Sequence, residues 1–163
     1  MNSVSDGISA SLRSVLNEVA DAARQAGVFG DVEVTEGCVS CAAAEAPEPV
    51  FYRISLIDGS LYVEWVTPDR WLSQSIEAEL VFTGDDLSDM IDEELVDTGY
   101  DGDALGTLEH FRSEAKLYTF RSTVPVDATN PESPRDVQRL TKCLIAYELT
   151  FRELGDMTGD DDE

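Results

Sequence analysis

Near the amino terminus, apolar residues recur every third or fourth position. Ile8, Leu12, Val15, Leu16, Val19, Ala22, Ala23 and Ala26 share one helical face, while Ser11, Arg13, Ser14, Asn17, Asp21 and Arg24 mostly cover the other. Ser5 or Asp6 can cap this helix, and Gly27 stands where a helix end favours positive φ. The period then shortens to two. Val32, Val34 and the run 35–41 predict a strand weakened by Gly37. Residues 42–49 hold small side chains and two prolines, which cannot join a ladder, and predict a loop. Residues 50–57 and 61–66 predict two strands joined at Asp58-Gly59, the pair of residues that best tolerates the positive φ of a type I′ turn.

Further along, Ile76, Ala78, Leu80 and Phe82 alternate with Glu77, Glu79 and Val81 and predict a strand, although Leu72, Ile76 and Leu80 also fit a helix. Asp85 or Asp86 then caps a short acidic helix with Leu87, Met90, Ile91, Leu95 and Val96 inward. Residues 105–111 predict one more helical turn. Residues 116–126 predict a strand with Leu117, Thr119, Arg121 and Thr123 on one face and Tyr118, Phe120, Ser122 and Val124 on the other. Ser133-Pro134 is a sound helix start, and Val137, Leu140, Leu144, Tyr147, Phe151 and Leu154 follow at helical spacing, ending near Gly155. The expected architecture is one α+β domain over residues 1–155, followed by an acidic, disordered tail over 156–163. One antiparallel sheet is packed by amino-terminal, middle and carboxy-terminal helices.

That order, α-β-β-β-α-β-β-α, resembles the type III secretion chaperone-like fold shared with YbjN-type bacterial proteins and some uncharacterised cyanobacterial ones. The resemblance rests on the hairpin 50–66, the strand 117–126 with its Tyr-Thr-Phe-Arg-Ser run, and the amphipathic helix 134–154. It departs from the family after the middle helix, where one clear strand stands in place of two. The resemblance implies a protein-binding role, often as a homodimer, and offers no catalytic residues to carry over.

Charge narrows the partners. Among 163 residues, 34 are acidic and 11 basic, a net charge of −23. Nucleic acid and anionic membranes are bound through clustered Lys and Arg, so both are excluded as expected partners. Few lysines with many aspartates suit a salty cytosol, and they equally suit a protein kept soluble while exposing one apolar surface. The start of the chain carries no basic region before an apolar run, no segment approaches the ~20 apolar residues of a membrane span, and three cysteines imply free thiols. The expected location is the cytoplasm.

Candidate chemistry is sparse. Cys38 and Cys41 have metal-pair spacing, and a closed zinc site would have to add His110 and Cys143. However, residues three apart point to opposite faces of a strand, so these cysteines read as small apolar residues, and no cofactor is expected. The segment 97–103 matches a calcium loop at Asp97, Asp101 and Gly102, but Gly99 occupies a ligand position and Glu109 falls one residue late. His110 has no nucleophile motif to serve. Tyr52, Tyr62, Trp65 and Trp71 cluster around the hairpin. By residue parity, Tyr52 and Tyr62 go with Ile54, Leu56 and Glu64, while Phe51, Leu61, Val63 and Trp65 take the other face. One face is then core and the other a partner or dimer surface.

Three functions remain, in this order. The first is a non-enzymatic protein-interaction module, chaperone- or adaptor-like and homodimeric. The second is a small-ligand-binding or regulatory domain, and the third an enzyme built around His110 and the carboxylates of 85–103.

Overall fold

The computed structural model describes residues 10–35, 37–43, 50–68, 74, 87–102, 105–106, 108–112 and 117–160. Helix α1 (Ala10–Ala26) buries Leu12, Val15, Leu16, Val19, Ala20 and Ala23, which is the stripe its periodicity predicts, and Gly27 follows at φ 74°. Strands β1 (Phe29–Thr35) and β2 (Cys38–Ala43) form a hairpin where the sequence predicts one strand. Gly37 is the reason: its φ of 75° folds the chain back and pairs Thr35 with Cys38. Strands β3 (Phe51–Ile57) and β4 (Ser60–Thr67) turn at Asp58 and Gly59, whose φ values of 52° and 83° are those of a type I′ turn.

Helix α2 (Leu87–Thr98) buries Leu87, Ile91 and Leu95 at successive fourth positions. Val96 is 76% exposed, against the expectation that it points inward, because the next residue is rotated about 100° away from the stripe. The helical turn expected over 105–111 is instead the start of strand β5 (Glu109–Arg112), which pairs with β6 (Tyr118–Val124). Two strands therefore follow the middle helix, and four precede it. Helix α3 (Arg135–Asp160) continues past Gly155, so residues 156–160 are helical rather than a disordered tail. Its start is held by Asp136, which is buried and accepts the Glu132 N–H at 2.7 Å. The alternating segment 70–82, Trp71 and the caps Ser5, Asp6, Asp85 and Asp86 lie outside the described residues.

The result is the expected α+β class: one open, six-stranded antiparallel sheet in the order β1-β2-β3-β4-β6-β5, with three helices. Helices α1 and α3 pack on each other and on the sheet, and α2 packs on α3. Val39, Cys41, Tyr52, Ile54, Leu61, Val63, Trp65, Phe120 and Val124 face them. Burying side chains such as Leu61 and Ile54 contributes about 1.5–3 kcal/mol each. Trp65 stacks on Phe151 at 4.9 Å, and Phe120 lies 5.4 Å from the same ring, locking α3 to β4 and β6. One polar bond crosses this interface, Ser122 Oγ to Tyr147 Oη at 2.7 Å.

Candidate functional site

Register decides which side chains share the second face of the sheet, the one turned away from the helices. Around the turn, Ile57 pairs with Ser60, so Tyr52 meets Trp65, Arg53 meets Glu64 and Ser55 meets Tyr62. Parity therefore inverts across the hairpin. Tyr52 goes with Trp65, not with Tyr62, which corrects the grouping read from the sequence.

Tyr52 is 3% exposed and Trp65 2%, both inside the core, so neither offers a surface to a partner. Tyr62 is half-buried on the second face. Burial pushes the Tyr52 and Tyr147 hydroxyls above the usual tyrosine value, so both remain neutral.

The second face is organised by rows running across the strands. The central row is Glu33 on β1, Ser40 on β2, Arg53 on β3, Glu64 on β4, Arg121 on β6 and Glu109 on β5. On one side of it lies the row Ala42, Phe51, Val66, Thr119 and Phe111, and on the other Cys38, Ser55, Tyr62 and Thr123. At about 4.8 Å between strands, the central row spans about 24 Å.

Its charges are unevenly matched. Arg121 is fixed: it donates to Glu109 at 2.7 Å, and its guanidinium sits 4.2 Å from the Tyr62 ring centre and 4.7 Å from that of Phe111. Arg53 leans the other way, over Phe51 at 5.6 Å and towards Ser40 Oγ at 3.4 Å, with no carboxylate at ion-pair distance among the described residues. Glu64 is 7% exposed and takes a 2.9 Å hydrogen bond from Ser55 Oγ. Opposite charges directly across a strand pair usually meet. Here the two side chains splay apart. Burial raises the Glu64 carboxyl above its ordinary value, and Ser55, Arg53 and Arg121 only partly offset this.

The sheet edges are blunted against strand addition. On β1 the register slips between Phe29 and Val32, Asp31 and Glu33 are exposed, and Arg24 Nη2 occupies the Val32 carbonyl at 3.0 Å. The other edge, β5, is only four residues long.

The remaining candidates are scattered. Cys38 lies half-buried on the second face, 3.5 Å from Ser55 Oγ, while Cys41 faces the core from the same strand and Cys143 is buried on α3. Burial raises all three thiols, Cys41 to about 12, the opposite of an activated nucleophile. His110 stacks on Phe120 at 3.9 Å at the far edge of the helix-covered face. Among the described residues, no three His, Cys, Asp or Glu side chains are placed to hold a metal ion. In the segment compared with a calcium loop, Asp101 is held by Arg139 at 3.1 Å, which lowers its pKa, and Lys142 Nζ takes the Gly99 carbonyl at 3.0 Å. No helix among the described residues is long and apolar enough to cross a membrane.

Sequence reasoning missed the central row. Its signal was available once Asp58-Gly59 is taken as a two-residue turn, because that register alone places Arg53 opposite Glu64. In comparison with known proteins, no family model, no curated protein and no solved structure matches the chain.

Proposed function

We propose that this chain is a non-enzymatic protein-interaction module, chaperone- or adaptor-like, that takes another polypeptide on the face of its sheet away from the helices. The observation that carries this reading is the central row. Arg53 and Glu64 stand opposite each other on that face without forming an ion pair, next to the half-buried rings of Phe51, Tyr62 and Phe111. A charged pair held apart beside aromatic rings is suited to groups arriving from another molecule. The blunted edges favour docking on the face over adding a strand. The raised thiols favour a binding role over nucleophilic chemistry, and free cysteines fit a reducing cytoplasm.

The test is affinity capture with two baits, the wild type and Tyr62→Asp, each shown to be folded by circular dichroism. A polypeptide retained by the wild type and lost by the variant supports the reading, whether it is another protein or a further copy of the chain. Identical captures by both baits overturn it.

A further inference from the structure

We infer that the polypeptide received by the second face is another copy of this chain, related by a two-fold axis lying between the facing sheets, parallel to the strands and midway between β3 and β4. This rests on the reading of that face as the interaction surface, and it specifies the occupant.

The argument is one of symmetry. In a two-fold interface, each contact occurs twice with the roles exchanged. The sheet order β1-β2-β3-β4-β6-β5 has its centre between β3 and β4. With the axis there, β3 lies over the partner's β4, and every central row meets a match. Arg53 faces the partner subunit's Glu64, and Glu64 faces the partner subunit's Arg53, supplying the counter-charges that neither finds within its own chain. Ser55 faces the partner subunit's Tyr62, and Phe51 faces the partner subunit's Val66, so hydroxyl meets hydroxyl and apolar meets apolar.

Other axes fail. Centring on β3 sets Arg53 against its own copy, and centring on β4 does the same to Glu64. Moving the axis between β4 and β6 directs Glu64 to an Arg121 already held by Glu109, Tyr62 and Phe111, and leaves β1 and β2 unmatched.

Charge selects a second copy over a basic partner. The chain carries −23, yet in the central row Glu33, Glu64 and Glu109 are nearly balanced by Arg53 and Arg121. This is where another strongly acidic body approaches with little repulsion. A basic partner would be drawn instead to the exposed acids of α2, Asp89, Asp92, Glu93 and Asp97.

Sedimentation equilibrium of the full chain tests this. The wild type should weigh twice 17.9 kDa at tens of micromolar. Arg53→Glu and Phe51→Glu, both at half-buried positions, should weaken the dimer at least about a hundredfold, because like charges or an unpaired carboxylate would sit in the interface. Glu64→Arg should also be monomeric alone, whereas an equimolar mixture of Arg53→Glu and Glu64→Arg should form a heterodimer with both cross-axis pairs reversed. Val96→Glu, on the helical side, should leave the dimer intact. If Glu64→Arg does not fold, Arg53→Glu and Phe51→Glu still decide. A monomeric wild type, a dimeric Arg53→Glu, or a dimer lost in Val96→Glu overturns the inference. A monomeric wild type that still captures another polypeptide lost in Tyr62→Asp removes the second copy alone and leaves the interaction reading standing.

Discussion

Tyr147 and Ser122 form a buried hydroxyl pair at 2.7 Å between α3 and β6, with Tyr147 0% and Ser122 3% exposed. The net value of such a bond is about 1 kcal/mol, and a partner left buried without one costs about 1–3 kcal/mol. Tyr147→Phe should therefore cost about 1–2 kcal/mol, since the remaining serine hydroxyl is small and can rotate. Ser122→Ala should cost about 1–3 kcal/mol, because the phenol is left in the core with nowhere to go. The double variant removes both polar groups, so its cost should fall below the sum of the two by roughly 1–3 kcal/mol. Urea unfolding followed by circular dichroism, at one protein concentration and with unchanged m, reads all three values. Strictly additive losses would refute the reasoning, since they would mean that the two hydroxyls do not share a bond in the folded state.

Three further outcomes follow from single sites. Gly59→Ala should cost about 1–2 kcal/mol in thermal or urea unfolding, because an added Cβ meets no neighbour within 4 Å and the whole penalty comes from φ 83°. Asp136→Ala should cost about 1–2 kcal/mol by removing the acceptor of the Glu132 N–H, and Asp136→Asn should recover part of that loss in the same assay. Glu64, buried and with its pKa raised above 4.5, binds its proton longer in the folded chain than in the unfolded one. Its contribution to stability therefore falls as pH rises from about 4.5 through the folded value. Measured at concentrations low enough to keep the chain monomeric, Glu64→Gln should gain stability relative to wild type between pH 4 and pH 7, and a difference independent of pH would refute this.

The parts legible in the sequence are those that local chemistry determines. The stripes of α1 and α3, the Asp58-Gly59 turn and the alternation of β6 each appear as an unbroken period or a specific turn pair. The missed parts depend on distant residues. Glu109, His110, Phe111 and Arg112 show no apolar alternation and become a strand only by pairing with β6. Gly37 weakens a strand and turns one equally well, and only the pairing of Thr35 with Cys38 distinguishes the two. Gly155 weakens a helix without ending it unless it takes positive φ, and α3 runs through it. The candidate site was hidden for a simpler reason. Counting parity straight through a two-residue turn assigns Tyr52 and Tyr62 to one face, when the register puts them on opposite sides.

The sheet face supplies its own reporter. Cys38 is the half-buried thiol on it, whereas Cys41 and Cys143 are 0% exposed in the core. A thiol-specific reagent applied to the native protein should therefore modify Cys38 first and reach the other two only on unfolding. Its rate at Cys38, followed by mass spectrometry from high nanomolar to hundreds of micromolar protein, reads the occupancy of the face directly. The account predicts progressive protection as concentration rises, and loss of that protection in Arg53→Glu. A Cys38 rate that is the same at every concentration in both proteins would contradict it.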